Sequence, residues 1–358
     1  MECSIRLNKH TYSLTEFVNQ SLEEHHWAIT AQIFLKAWLN GDDTFSMQTS
    51  GSTGHPKTIL LSRSQMIASA EATIETLSIP KGTKALLCIN TDYIGGKMML
   101  VRAILGKWAL DLIEPSMDPS IQAQREAYDF AALVPLQLLG LTKHKNGKVL
   151  LNNITQVIIG GAPIPDELLS KVHQLENKCY HTYGMTETVS HIGLKKLNGT
   201  DASDWFDIVK GNEITQDARS CLRVKGAVTN NEWVQTNDLI ELRENRFKWL
   251  GRADLIVNSG GVKILIEKAE KDLTDLLPTE LKGQFIYWKK ADKSLGEKLV
   301  GIALDRSFVD YIEANKSVLI QNLPPYTLPK EWLVSLQFVF TESGKLDRPN
   351  TYKRLPNP

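Results

Sequence analysis

From Met47 to Lys57 the chain reads MQTSGSTGHPK, in which Thr49, Ser50, Ser52 and Thr53 surround Gly51 and Gly54 just ahead of Lys57. Two glycines let backbone N–H groups turn inward towards an anion, the hydroxyls add donors and the lysine adds a compact charge, so the segment is suited to hold phosphate. A Walker A loop needs glycine directly followed by lysine, and His55 and Pro56 intervene here. The flanks differ as well. Phe45–Thr49 and Thr58–Leu61 read as strands, and a helix is expected only afterwards, opened by Ser62 and Gln65 as a capping box. The competing reading of this strand–loop–strand grip is an ordinary Ser/Gly surface turn.

Elsewhere the pattern alternates. Apolar runs such as Ala85–Ile89 and Gln156–Ile159 are followed by helical stretches, for instance Pro165–Leu175 with Leu168, Leu169, Val172 and Leu175 on one side. The character changes near Gly251, beyond which come a short strand (Leu255–Asn258), a helix from Glu267, strands at Gln284–Trp288 and Lys298–Leu304, a helix from Phe308 and a strand at Trp332–Phe340. The expected architecture is a large α/β N-terminal domain, residues 1–251, and a small mobile α+β C-terminal domain, residues 252–358. The junction Gly251-Arg252-Ala253-Asp254 is short and polar, which suits a hinge.

Lys plus Arg and Asp plus Glu both number 41, so net charge offers no reason to expect a nucleic-acid or membrane partner. Cys3, Cys88, Cys179 and Cys221 lie far apart with no CxxC pair, which indicates neither a zinc cage nor a disulfide framework. The amino terminus lacks the cationic start and apolar run of a signal peptide. These features lead to the expectation of a soluble cytoplasmic protein acting on small molecules, with an oligomer left open.

Further segments carry chemistry. Tyr183-Gly184-Met185-Thr186-Glu187-Thr188 follows an expected strand at Lys178–Thr182 and offers an aromatic face, hydroxyls and a carboxylate. Glu187 beside bound phosphates would be a natural Mg²⁺ ligand, whereas the plain alternative is a capped helix start. Gly160-Gly161-Ala162-Pro163 follows the strand at Gln156–Ile159, at a carboxyl end where open α/β sheets bind ligands, and could equally be a simple strand-to-helix turn. Asp238, which ends Trp233–Asp238, has two acceptor oxygens suited to ribose hydroxyls. Arg252 supplies a nearby cation, and Ser259-Gly260-Gly261 forms a glycine-rich turn beyond it. Finally, Gly344-Lys345-Leu346-Asp347-Arg348 sits close to the end; alone, such a lysine reads as a surface residue.

Together and in order, these segments resemble the signatures of the adenylate-forming superfamily of acyl-CoA synthetases, adenylation domains and luciferases: TSGSTGxPK at Thr49–Lys57, YGxTE at Tyr183–Glu187, GRxD at Gly251–Asp254 and GKxxR at Gly344–Arg348. The similarity is greatest to the o-succinylbenzoate–CoA ligases of menaquinone synthesis, through IIGGAPIP at Ile158–Pro165, YGMTET at Tyr183–Thr188 and the stretch Tyr93–Arg102. The chain departs from the family pattern in three places. Its phosphate loop comes near residue 50, after a shorter amino-terminal region than most members carry; Asn237 replaces the glycine of TGD; and Tyr93 stands where relatives often have histidine.

The resemblance implies ATP and Mg²⁺ as reactants' partners, coenzyme A as co-substrate and a carboxylic acid as substrate. Thr49, Ser50, Gly51, Ser52, Thr53, Gly54 and Lys57 would bind the phosphates; Lys345, Thr186 and Glu187 would be catalytic, with Glu187 on the metal. Gly161, Ala162, Pro163 and Tyr183 would hold adenine, while Asp238 and Arg252 fix the ribose. Tyr93, Gly96, Arg102, Gly160, Ser190 and His191 would line the acyl site, Arg102 pairing with the second carboxylate of a dicarboxylate. Asp254 would be the pivot, and Ser259, Gly260 and Gly261 would line the coenzyme A channel. Two alternatives stay open: an adenylation enzyme that loads a carrier protein, and a nucleotide-binding pseudo-enzyme.

Overall fold

A computed structural model describes residues 2–48, 58–341 and 346–355; the expected phosphate loop, Thr49 to Lys57, and Lys345 lie outside the described residues. Thirteen strands form one sheet whose two halves differ in direction. Ser4–Leu7, Ala109–Leu112, Lys84–Leu87, Tyr128–Leu133, Ile154–Ile159 and Lys178–Gly184 lie side by side in that order, all parallel. From Lys178–Gly184 onward each neighbour is antiparallel, through His191–Lys196, Phe206–Ile208, Arg246–Arg252, Val234–Arg243 and Cys221–Gly226 to Asn212–Gln216. His10–Ser13 pairs antiparallel with Ser4–Leu7 at the other edge.

Parallel strands covered on both faces read as apolar runs, and the alternation of side chains sends each half to a different core. Ala85, Leu87, Phe130, Ala132 and Ile158 pack with residues of the helices Ile29–Leu39, Arg63–Thr76 and Ile94–Gly106. Leu86, Ala131, Leu133, Val157 and Ile159 face the opposite way, onto Pro135–Lys143, Lys145–Asn152 and Asp166–Val172. This is the α/β class expected from the alternating pattern. All four cysteines are buried free thiols.

The stretch around the phosphate motif folds as read. Thr44–Gln48 and Thr58–Ser62 form an antiparallel pair, and Arg63–Thr76 follows at once. The Gln65 amide donates to Ser62 Oγ at 3.2 Å while the Ser62 amide donates to Gln65 Oε1 at 2.9 Å, which completes the capping box.

A second sheet joins Val262–Leu265, Ile256–Ser259, Gly296–Ala303 and Phe285–Asp292, all antiparallel, with Glu331–Val334 parallel to Gly296–Ala303. Helices Ile266–Leu276 and Arg306–Ala314 bury Ala269, Leu273, Phe308 and Ile312 against Phe285, Tyr287 and Ala303. Two local expectations differ. The strand read over Trp332–Phe340 ends at Val334, because its ladder partner among the described residues stops at Ala303; Phe340 instead bridges to Leu346. The helix read from Phe308 starts at Arg306, since the Asp305 carboxylate caps it by accepting the Phe308 amide at 3.0 Å. Among the described residues no helix is long and apolar enough to cross a membrane.

The sheet order reverses beside Lys84–Leu87: Ala109–Leu112 lies on one side of it and Tyr128–Leu133 on the other. Crevices outside the carboxyl ends of strands at such a reversal are where open α/β sheets take ligands. The segments at Asn90–Tyr93, Gly160–Pro163 and Tyr183–Glu187 all leave carboxyl ends of parallel strands, so this edge gathers several of the described candidate residues.

Candidate active site

The segment from Tyr183 to His191 organises the site. A Cβ at Gly184 would fall 2.2 Å from the Ser190 carbonyl oxygen, so only glycine lets the chain double back here. Thr186–Thr188 makes one 3₁₀ turn, and Thr188 Oγ1 donates to the Ser190 carbonyl at 2.9 Å. Val189 follows with φ 64° and ψ −58°, and the Ser190 amide donates to the Thr188 carbonyl at 2.7 Å. This is a γ-turn of the rarer, strained hand, held by a β-branched residue that is fully buried. The fold-back leaves Glu187 exposed and delivers Ser190 and His191 towards helices Arg63–Thr76 and Ile94–Gly106.

Ile94–Gly106 carries the acyl-side candidates. Arg102 is 1% exposed and its Nη2 donates to Ser190 Oγ at 2.9 Å, while its Nε has no partner among the described residues. Burial pushes the guanidinium down to about 10, which still leaves it charged at neutral pH. His191 is buried beside it, with Nδ1 3.4 Å from Ser190 Oγ and Nε2 3.1 Å from Thr73 Oγ1. Burial first, and the Arg102 charge second, hold the imidazole well below its ordinary range, so it is neutral. Tyr93 is exposed at the start of the same helix, about 13 Å along the axis from Arg102. Gly96 lies against the Asn90 carbonyl, and Gly160 against the Thr182 hydroxyl.

The nucleotide-side candidates meet on the antiparallel half. Register places Asp238 opposite Arg252. Tyr183 Oη donates to Asp238 Oδ2 at 2.7 Å, Trp249 Nε1 donates to Oδ1 at 3.1 Å, and Arg252 stands 3.9 Å from Oδ1. Burial and the neighbouring Asp238 raise the Tyr183 phenol, so it remains a donor. Its ring meets Phe206 and Phe247 edge-on. Arg252 also grips Asp254 with two bonds of 2.9 Å, and its backbone amide donates to Glu267 Oε2 at 3.0 Å. Burial works to raise the Asp254 carboxyl, but the hydrogen bonds and charge of Arg252 prevail and hold it below the usual range. Gly161, Ala162 and Pro163 are exposed, with the Ala162 carbonyl 3.4 Å from His181 Nε2. Burial, then Lys195, pushes His181 down to about 4.

Ser259-Gly260-Gly261 is a tight hairpin: Ser259 pairs with Val262, and both glycines have positive φ, 56° and 86°. Among the described residues no group of three or more His, Cys, Asp or Glu could enclose a metal. Glu187, exposed in the 3₁₀ turn Thr186–Thr188, suits an ion shared with a ligand's own oxygens. Thr73 and Trp249 were not singled out in the sequence. Thr73 comes from a helix remote in the chain from His191, and Trp249 reaches Asp238 only through the register of the adjoining strand.

A sheet that changes from parallel to antiparallel at Lys178–Gly184, with candidate residues gathered at its carboxyl edge, defines a nucleotide-handling α/β enzyme. The chain belongs to the AMP-binding enzyme family, whose sequence profile matches residues 6–208. It is 26% identical over 301 residues to the 2-succinylbenzoate–CoA ligase of Escherichia coli K12, covering 79% of this chain and 64% of that one. To the enzyme of that name from Listeria monocytogenes serotype 4b it is 25% identical over 340 residues, covering 89% and 71%. The chain thus spans roughly two thirds of the length of these relatives. Among solved structures, an acyl-CoA synthetase (AMP-forming)/AMP-acid ligase II-like protein from Dyadobacter fermentans matches with TM-score 0.66 and 36% identity, covering 96% of this chain and 99% of that one. The o-succinylbenzoate CoA synthetase of Bacillus subtilis, in complex with its acyl-adenylate intermediate, shares the fold with TM-score 0.70 at 21% identity, covering 87% and 69%.

Proposed function

We propose that this protein is an ATP-dependent acid–thiol ligase that activates a dicarboxylic acid, 2-succinylbenzoate, as an acyl-adenylate and passes the acyl group to coenzyme A. The observation that carries the substrate class is Arg102: a guanidinium 1% exposed, with no carboxylate partner among the described residues. Keeping a buried cation unpaired is costly, and a substrate that brings a second carboxylate would offset that cost. The relatives named as 2-succinylbenzoate–CoA ligases support the same reading.

In the first half-reaction the acid's carboxylate oxygen attacks the α-phosphorus of ATP and pyrophosphate leaves. Two anions must approach, so Lys345 would neutralise them, as the residues at Thr49 to Lys57 hold the departing phosphates. The exposed Glu187 fits a Mg²⁺ ion shared with phosphate oxygens, which would lower the charge of the leaving group. Asp238, already oriented by Tyr183 and Trp249, would accept the ribose hydroxyls, and Arg252 would keep its charge balanced. In the second half-reaction the coenzyme A sulfur attacks the acyl carbonyl, AMP leaves with the bonding pair, and the thiol proton goes to solvent. Residues 252–358 would turn about Asp254 between the two steps, bringing Ser259 to Gly261 to the thiol channel.

Acid-dependent release of pyrophosphate from ATP, screened with 2-succinylbenzoate, benzoate, a fatty acid and an amino acid, tests this. Release that is fastest with 2-succinylbenzoate is expected. Release with no acid at all would end the ligase reading, and equal use of benzoate would end the dicarboxylate one. Lys345→Ala should abolish pyrophosphate release while a supplied acyl-adenylate is still converted by coenzyme A.

A further inference from the structure

Four side chains behind the acyl site form a chain whose hydrogen directions can be assigned. Thr73 Oγ1 lies 2.9 Å from the Ser69 carbonyl oxygen, which can only accept, so the single hydroxyl proton of Thr73 is used there. Towards His191 the same oxygen must accept, and Nε2, at 3.1 Å, must carry the ring proton. The neutral imidazole then has its lone pair on Nδ1, which faces Ser190 Oγ at 3.4 Å. At the other end Arg102 Nη2 can only donate, so Ser190 Oγ accepts from it at 2.9 Å and directs its own proton to His191 Nδ1. Every proton runs one way, from Arg102 through Ser190 and His191 to Thr73 and the Ser69 carbonyl. The strained turn at Val189 sets Ser190 between its two partners. Val189 is fully buried at φ 64°, and strain of this kind persists where the surroundings over-determine it.

We infer that Thr73 and His191 are positioning residues for substrate charge recognition: acting through Ser190, they fix the Arg102 guanidinium and leave its remaining N–H groups as the donors for the acid's second carboxylate. Ser190 is then an acceptor towards Arg102 and has no proton to offer the substrate. His191 serves as a neutral spacer of fixed tautomer, which excludes a role as a base for the incoming thiol. This inference rests on the dicarboxylate reading of Arg102 for its catalytic consequence, but the tautomer does not depend on any substrate.

Two measurements test it. In the full-length protein labelled with ¹⁵N-histidine, the long-range proton–nitrogen spectrum at pH 7 should show His191 neutral and protonated on Nε2, identified by its loss in His191→Asn. A ring protonated on Nδ1, or on both nitrogens, overturns the directed chain whatever the enzyme's activity. Thr73→Val removes the acceptor and should raise the KM for 2-succinylbenzoate roughly tenfold, with kcat and the KM for ATP changing by less than about twofold. Thr73→Ser should restore the wild-type KM. An unchanged KM in Thr73→Val, or a loss in both variants spread over KM, kcat and ATP alike, overturns the positioning role. If no acid supports pyrophosphate release, the function proposed above fails, while the tautomer spectrum still decides the direction of the chain.

Discussion

The Asp238 carboxylate accepts from Tyr183 and Trp249 and has Arg252 3.9 Å away, whereas the Arg102 guanidinium, more deeply buried, meets the Ser190 hydroxyl and leaves its Nε bare. Both charges reach the same segment, Tyr183 to His191. The proposed nucleotide side is therefore organised by the protein itself, and the proposed acyl side has no negative charge paired with Arg102 among the described residues. Nucleotide binding on such a site needs little reorganisation, while acyl binding gains most from a ligand that supplies the missing anion.

The largest effect expected from breaking this contrast is at the organised end. Asp238→Ala strands the Tyr183 hydroxyl and the Trp249 ring N–H and removes the proposed ribose acceptor, so kcat/KM for ATP should fall roughly a hundredfold or more. The same change should destabilise the free protein by ~1–3 kcal/mol in urea unfolding. Arg102 should behave oppositely: Arg102→Met should raise unfolding stability by about 1 kcal/mol or more, because it removes a buried ion that has no counter-ion among the described residues. It should also cut kcat/KM for 2-succinylbenzoate roughly a hundredfold while benzoate changes by less than about threefold. Destabilisation by both substitutions would erase the distinction between the two ends.

A third test concerns the neutral histidines. His181 is pushed down to about 4 and His191 well below its ordinary range, both chiefly by burial, against an ordinary imidazole value of 6.5. A depressed folded value means that stability is fully present above 6.5 and is lost as pH falls from there through about 4. Melting temperature should therefore drop across that window, and His181→Gln should shallow the drop. The smallest effect is expected at the Lys271–Asp166 ion pair, which joins the helix Ile266–Leu276 to the helix after Gly160–Pro163. Both partners are largely exposed, so Lys271→Ala should cost no more than ~0.5 kcal/mol and nothing measurable at high salt.

The contrast also marks what could be read from the chain alone. Apolar runs revealed parallel strands, because burial on both faces leaves a local signature, as in Ala85–Leu87 and Val157–Ile159. The Ser62–Gln65 box was readable for the same reason, since both partners lie within one turn. Asp238 and Arg102 stood out as charged residues in motif-like contexts. Their circumstances did not: Trp249 reaches Asp238 through hairpin register, and Thr73 reaches His191 from a helix more than a hundred positions earlier. Strand ends suffered similarly, as Trp332–Phe340 keeps an extended pattern past the point where its neighbour stops. Pairings across the fold are set by packing, which no short window of sequence encodes.

The four buried cysteines have a chemical consequence. Burial pushes Cys3, Cys88 and Cys179 up to about 12 and raises Cys221 as well, so at neutral pH scarcely any thiolate exists on this chain. An activated acyl phosphate anhydride generated here would face no rival thiolate from the described cysteines, so acylation of cysteine would not compete with delivery to an external thiol. Mild alkylating reagents should leave the folded molecule untouched.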